Sequence, residues 1–188
     1  PSVIRALNMD PATIVGQIRP DISTARVEED MGLKKKSFAG SWEGRFSTEE
    51  YEAVMEQKRD VALTVEWENG QSDVMSGAEI YKLIFDNNNP WMLSSNGTIF
   101  TTEHEGVIPG LLKRWYSERK ELQAQLKKAK DAGNDVETEY WDKRQLVKKI
   151  NLNSLYGAIL NPGCRFFDKR IGQSTTLTGR TIVKHMSA

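Results

Sequence analysis

The chain has 188 residues, of which 38% are hydrophobic and 28% are charged, a balance typical of a soluble globular protein with one sizeable core. No apolar stretch approaches the roughly 20 residues of a membrane-spanning helix, and no basic-then-apolar leader is present, so we expect neither a membrane anchor nor a secretion signal. The single cysteine, Cys164, excludes an internal disulfide. Pro1 is an unusual first residue, which favours a section of a longer protein.

The net charge of zero conceals two halves of opposite sign. Residues 1–112 carry 10 Lys and Arg against 18 Asp and Glu, a net charge of −8. Residues 113–188 carry 16 against 8, a net charge of +8. Basic surfaces neutralise phosphates in nucleic-acid complexes. Two helices with solvated lysines would give the same count, so charge alone leaves both interpretations open.

The N-terminal third is expected to contain short helices. Ser2–Asn8 can begin a helix, and Pro11 predicts a stop followed by a capped restart, because proline lacks the amide that a continuing helix needs. Residues 20–60 are acidic and weakly periodic. Within them, Ser47–Glu50 resembles a capping box that opens a short helix through about Gln57.

The middle of the chain is rich in strand signals. Val61–Trp67 and Ser72–Met75 flank Asn69-Gly70, and this arrangement predicts a β-hairpin because both turn residues tolerate positive φ. A short helix is expected over Gly77–Phe85. One or two short strands are expected within Trp91–Phe100.

Two long helices follow. The first is predicted from about Pro109 to Ala132 and the second from about Val136 to Leu160. The short turn at residues 131–135 would make them antiparallel neighbours, an αα-hairpin. A last helix is expected to begin near Gln173.

The first long helix carries an apolar stripe with one charged residue inside it. At about 100° per residue, six apolar side chains share one side of the helix: Ile108, Leu111, Leu112, Trp115, Leu122 and Leu126. Arg119 falls within this stripe, and burying a guanidinium without a partner is very costly. A salt-bridged or snorkelling arginine and a ligand-binding arginine both fit the helix alone.

The second long helix places Lys149, Asn153 and Tyr156 on one face, at i, i+4 and i+7. Apolar residues flank this face: Leu152, Leu155 and Ile159 on one side and Ile150 on the other. Lysine charge and amide donors suit a phosphate. A flat tyrosine ring suits a base or sugar, and Gly157 allows a strand to approach closely. Simple helix packing is the alternative.

The pattern Lys149-x-x-x-Asn153-Ser154-x-Tyr156-Gly157 resembles the fingers-helix motif of family B DNA polymerases, and Asn153–Ala158 is especially similar to the T-even bacteriophage branch. Four further segments resemble parts of the same family, in the same order along the chain. The segment Pro1–Thr13 resembles the residues after the first catalytic aspartate motif, and Ser94–Pro109 resembles the lead-in to the first fingers helix. The segment Ser117–Glu121 resembles the next part of that helix, and Arg165–Arg180 resembles the return from fingers to palm. The resemblance covers residues 1–20 and 94–188, and residues 21–93 are not matched.

The resemblance implies an α+β fold, a partial right-hand polymerase with a helical fingers hairpin and an incomplete palm that carries a small β-hairpin-containing insertion. The expected parts are a palm segment at residues 1–20, a palm or fingers-base insertion at 21–106 with a hairpin near 61–76, the fingers αα-hairpin at 107–160 and the return to the palm at 161–188.

The resemblance also implies roles for individual residues. Arg119 and Lys149 would bind the phosphates of an incoming deoxynucleoside triphosphate (dNTP), Asn153 would donate to them, and Tyr156 would line the nascent base pair. Three further residues are assigned as contacts to template or primer: Gly157, Arg165 and Arg180. For the two arginines, the alternative is an ordinary surface position. The phage enzymes place a second lysine where this sequence has Gln123, so Lys120 or Lys127 would have to substitute for it, or the triphosphate is held with one cation fewer.

As an expectation, the parent protein is an Mg²⁺-dependent DNA polymerase in the cytoplasm, of a bacterial host if it is phage-encoded. Its partners would be primer–template DNA and dNTPs, with a sliding clamp and other replisome proteins bound through other regions, and no membrane. The two metal-binding aspartates would lie outside this chain, so it contains no catalytic residue or metal ligand and would be inactive alone. Two alternatives remain: a non-catalytic nucleic-acid-binding helical hairpin, and an interaction domain whose Trp67, Trp91 and Trp115 simply pack.

Overall fold

The computed structural model describes residues 1–20, 60 and 62–187, so the helix expected over residues 47–57 lies outside the described residues. The described elements follow in chain order: α1 (Ser2–Ala6), a 3-10 turn (Pro11–Thr13), β1 (Ile14–Pro20), β2 (Ala62–Trp67), β3 (Ser72–Ser76), α2 (Gly77–Tyr81), a π-type turn (Lys82–Asp86), β4 (Trp91–Leu93), β5 (Thr98–Thr101), α3 (Val107–Asp131), α4 (Asp135–Ile159) and α5 (Lys169–Ser187). None of these helices combines the length and apolar character that a membrane span requires.

The strands form one sheet in the order β3-β2-β1-β5-β4, and every neighbouring pair is antiparallel. In the centre, Ile18 lies opposite Val65 of β2, and Ile14 lies opposite Phe100 of β5. The β1–β5 register shifts between Ile14 and Gly16. Long helices beside an antiparallel sheet confirm the predicted α+β class.

Apolar side chains fill both faces of the sheet. On one face, α1, α3, α4 and α5 pack around Ile4, Leu7, Met9, Ile14, Phe100, Ile108, Leu112, Leu152, Ile159 and Ile171. On the other, α2 and the turn after it pack on Ile18, Leu63, Val65, Ile80, Ile84 and Ile99. Strand β5 is buried along its whole length, and its two apolar side chains point to opposite faces, Phe100 into the first cluster and Ile99 into the second. Trp67 and Trp91 pack at the edge of the second cluster, with ring centroids 5.9 Å apart.

The segment after Pro11 differs from the prediction. A restarted helix was expected, but only a 3-10 turn of three residues forms, and β1, which was not predicted, follows directly. Asp10 caps this turn by accepting a hydrogen bond from the amide of Ala12 at 2.8 Å. The capping signal was therefore correct, but pairing of β1 with strands on both sides outweighs the local helical preference.

The hairpin is present where it was predicted, with a different turn. Of the two turn residues, Gly70 has a positive φ of +84° and Asn69 does not. The Asn69 side chain instead accepts a hydrogen bond from the amide of Gln71 at 2.9 Å. The turn is thus stabilised by an asparagine side chain and one left-handed glycine.

The long helices lie close to their predicted positions. Helix α3 begins two residues before Pro109, and α4 spans Asp135–Ile159, within one residue of the prediction at each end. Helix α5 begins at Lys169, four residues before Gln173. Of the apolar residues that flank the polar face of α4, Leu152 and Ile159 are buried, whereas Ile150 on the other side is 53% exposed.

Candidate functional site

Helices α3 and α4 form an antiparallel pair joined by a tight turn. Asn134 caps α4 by accepting a hydrogen bond from the amide of Glu137 at 3.1 Å. Between the helices, Glu118 binds Lys148 with a separation of 2.5 Å, and it also accepts from Arg114, one turn earlier on α3. These hydrogen bonds, first that from Lys148 and then that from Arg114, lower the pKa of Glu118. Lys148 therefore braces the hairpin.

Arg119, the charged residue within the apolar stripe, is half-buried and faces α4. Its Nε donates to Oε1 of Gln145 at 3.3 Å. Gln145 is an uncharged amide, and within the described chain no carboxylate pairs with Arg119. The guanidinium is thus oriented by a hydrogen bond to an uncharged partner.

The partner of Arg119 belongs to the same face of α4 as the predicted polar residues. Gln145 and Lys149 are one turn apart, and about 100° per residue places Gln145, Lys149 and Tyr156 within about 40° around the helix. Lys149 and Asn153 are exposed, and neither pairs with another described residue. By contrast, Lys143 on the outer side of α4 is paired with Glu139 at 2.5 Å. The structure thus brings Arg119 beside the row of polar side chains that leads to Tyr156.

Tyr156 ends this row where α4 meets α5. Its ring is half-buried, and its hydroxyl oxygen lies 2.7 Å from Oγ1 of Thr176 on α5. Gly157, the next residue, is exposed, and a Cβ there would meet nothing within 4 Å. Exposed backbone at Gly157 therefore adjoins the ring of Tyr156, whose hydroxyl group is held by the contact with Thr176.

The structure does not bring Arg165 and Arg180, the two arginines assigned to template or primer, into the site. Arg165 lies in the loop between α4 and α5, and Arg180 lies on α5. Both are exposed, and neither forms a hydrogen bond or ion pair with another described residue. Arg170, which sequence reasoning did not select, is instead bound to Asp168 at 2.8 Å and to Glu68 at 2.7 Å. The contacts with Asp168 and then Glu68 raise the pKa of Arg170 above its already high ordinary value.

The lysines proposed as substitutes at Gln123 differ in their surroundings. Nζ of Lys120 lies 5.6 Å from the ring centroid of Tyr116, and the guanidinium of Arg5 lies 4.2 Å from the same centroid. These are cation–π distances. Both lysines are exposed, but Lys120 lies over the ring of Tyr116 in the middle of α3, whereas Lys127 lies farther along the helix.

The base of α3 is held by two buried side chains from the N-terminal segment. Oδ1 of Asn8 accepts from the amide of Gly106 at 2.9 Å, and Oδ2 of Asp10 accepts from the amide of Ile108 at 2.8 Å. A carboxylate at this end also complements the helix dipole. These contacts give Asn8, which the sequence indicated only by resemblance, and the neighbouring Asp10 a structural role.

Sequence reasoning therefore missed Gln145 and Thr176, the residues that orient Arg119 and Tyr156. Gln145 had a signal, because it lies four residues before Lys149 on the same face. Thr176 had none, because it is on another helix. Across the described residues, no three His, Cys, Asp or Glu side chains come together as a possible metal site. A metal therefore does not fit the described residues, and none of them is assigned as a ligand.

A family model for DNA polymerase family B matches residues 1–188, including residues 21–93, which the motif resemblance did not reach. Among curated proteins, the chain is 28% identical over 102 residues to the catalytic subunit of DNA polymerase epsilon from Candida glabrata, which is 54% of this chain and 4% of that protein. It is 35% identical over 85 residues to a DNA polymerase of Pyrococcus glycovorans, 45% of this chain and 11% of that protein. It is 31% identical over 96 residues to the DNA polymerase catalytic subunit of Alcelaphine herpesvirus 1, 50% of this chain and 9% of that protein. The match over the full chain shows that it belongs to DNA polymerase family B.

Proposed function

We propose that this chain supplies the nucleotide-binding fingers of a template-directed DNA polymerase, which adds dNTPs to a primer 3′ end. One observation carries the proposal. Arg119 is oriented by the neutral Gln145, one turn from the unpaired Lys149 on the facing helix. Neither Arg119 nor Lys149 pairs with a carboxylate of the described residues, so their positive charges repel each other. An anion bound between the helices would relieve that repulsion.

A triphosphate fits this arrangement. Arginine offers a planar fork to phosphate oxygens, lysine offers a compact charge, and the exposed Asn153 adds an amide donor on the same face. Phosphoryl transfer is accelerated mainly by positioning and by neutralising charge on the reacting phosphate. Gln145 meets both requirements, because its uncharged amide positions the guanidinium of Arg119 and does not neutralise its charge.

The remaining assignments follow the order of residues along α4. We place the nascent base pair against the Tyr156 ring and the template beside the open backbone at Gly157. Arg165 and Arg180 are assigned to the primer–template backbone, which is consistent with their exposure and lack of described partners.

The finer form of the proposal is a T-even phage-type enzyme with a right-hand fold. In it, residues 1–20 and 161–188 belong to the palm, 21–106 to the palm or fingers base, and 107–160 to the fingers. The complete enzyme would use Mg²⁺ bound outside the described residues, act in the host cytoplasm, and bind a sliding clamp through other regions. The 188-residue chain alone is expected not to extend a primer.

The test is Lys149→Ala in the complete polymerase. Loss of a charge-assisted phosphate contact of about 2 kcal/mol lowers kcat/KM for dNTP incorporation more than about tenfold. The matched control is Lys143→Ala, which removes a lysine of the same helix that is bound to Glu139 on the outer side. Equal incorporation kinetics in the two variants would remove Lys149 from the site.

The alternative of a non-catalytic nucleic-acid-binding hairpin accounts for the basic C-terminal half alone. It leaves the family match over residues 1–188 without a reason. In that case, both lysine variants would weaken DNA binding alike and no nucleotide would be incorporated, so the same pair of variants separates the two functions.

A further inference from the structure

The hydroxyl of Tyr156 takes part in a hydrogen-bond chain whose direction can be determined. Its oxygen lies 2.7 Å from Oγ1 of Thr176. Thr176 in turn donates to the carbonyl oxygen of Gly172, one turn earlier on α5, at 2.9 Å. A threonine hydroxyl has one proton. Since Thr176 gives that proton to Gly172, Tyr156 must be the donor of the first hydrogen bond.

The two helices approach each other closely at Gly172. A Cβ at this position would lie 1.9 Å from Cδ2 of Leu160, which closes the C-terminal end of α4. Leu160 and Tyr156 are one turn apart, as are Gly172 and Thr176. Gly172 thus lies where α4 and α5 approach closely, one turn from the contact between Thr176 and the tyrosine hydroxyl.

The acceptor sits on a helix that is itself fixed to the sheet. On another side of α5, Ser174 donates to Oδ1 of Asn96 at 2.7 Å. One turn later, Oγ1 of Thr178 accepts from the amide of Ser95 at 3.1 Å. Ser174 and Thr178 are both buried, and their partners lie in the turn between β4 and β5. Thr176 is thus held by the sheet, not by the α3–α4 hairpin.

We propose that Thr176 is a positioning residue that sets the angle of the Tyr156 ring against the nascent base pair. The inference rests on the proposed function of Tyr156. The hydrogen bond ties a ring on α4 to a helix anchored on the sheet, so the ring presents one shape to the incoming base. A correctly paired nucleotide fits this shape, and releasing the ring lets mispaired nucleotides fit better.

The first experiment needs no nucleotide. The complete protein is labelled with 3-fluorotyrosine, and the ¹⁹F signal of Tyr156 is assigned by its loss in Tyr156→Phe. Thr176→Val keeps the size of the side chain and removes the acceptor, so this signal should shift. Thr176→Ser should restore it. Thr175→Val is the matched control, because Thr175 also donates to the carbonyl four residues earlier but faces Met9.

The second experiment measures single-nucleotide incorporation by the same variants. Loss of one hydrogen bond corresponds to a two- to tenfold lower ratio of correct to mispaired incorporation, as an order-of-magnitude figure. We expect about this loss in Thr176→Val and none in Thr175→Val. Combined with Tyr156→Phe, Thr176→Val should cause no further loss, because both changes remove the same bond.

The outcomes separate the two proposals. An unshifted ¹⁹F signal in Thr176→Val would overturn the hydrogen bond. A shifted signal with unchanged selection would overturn the positioning role while Lys149 keeps its assignment. A complete protein without polymerase activity would overturn the proposed function, and the positioning role with it.

Discussion

Asp10 provides the sharpest test of how the start of α3 is held. It is 3% exposed, and each carboxylate oxygen accepts one backbone amide. Oδ1 binds the amide of Ala12 in its own turn, and Oδ2 binds the amide of Ile108 in the first turn of α3, both at 2.8 Å. Asp10→Ala removes both acceptors at once.

The expected magnitude follows from these two contacts. Loss of an N-terminal cap costs about 0.5–2 kcal/mol, and a buried amide without a partner costs about 1–3 kcal/mol. The two are not fully additive, so we expect the start of α3 to lose about 2–4 kcal/mol. At about 1.4 kcal/mol per factor of ten, the amide of Ile108 should exchange roughly 30- to 700-fold faster.

The assay is amide hydrogen exchange of residues 104–112, followed by mass spectrometry. Asp10→Asn keeps one acceptor oxygen and should give an intermediate effect. Asp135→Ala is the control, since Asp135 is exposed in the first turn of α4, where Asn134 already caps the helix. Unchanged exchange at Ile108 in Asp10→Ala would show that residues 8–10 do not anchor α3.

Two further predictions concern the contacts that α4 makes with α3 and α5. The pKa of Glu118 lies below its ordinary value of 4.5. Its ion pair with Lys148 therefore stabilises the hairpin above pH 4.5, and this stabilisation is lost as the pH falls through the lowered pKa. In an NMR titration, Lys148→Met should raise the pKa of Glu118. Gly172→Ala places a methyl group 1.9 Å from Cδ2 of Leu160, so this 40% exposed side chain must move, and the variant should be less stable than the matched change at Gly179. Gly179→Ala on the same helix meets nothing within 4 Å and should be neutral or stabilising; equal unfolding midpoints for the two glycine variants would contradict the close approach of α4 and α5.

Local patterns determined much of this protein before any tertiary information. The helical period placed Lys149, Asn153 and Tyr156 on one face, and it predicted both long helices to within two residues. The Asn69-Gly70 signal located the hairpin. These features depend on residues within one or two turns of each other, so they are encoded by neighbouring positions. The motif around Lys149 also indicated the family that the match over the whole chain shows.

Tertiary structure alone decided which partners these residues have. Arg119 was recognised as a misplaced charge, but only the packing of α3 on α4 identified Gln145 as its partner. The hydroxyl that holds Tyr156 lies 20 residues away on α5. Strand β1 forms where a helix was expected, because pairing with β2 and β5 outweighs local preference. Asp10 binds an amide 98 residues later. Each of these contacts joins segments whose separation in sequence carries no periodic signal. The sequence therefore determined the residues of the candidate site, and the fold determined their contacts.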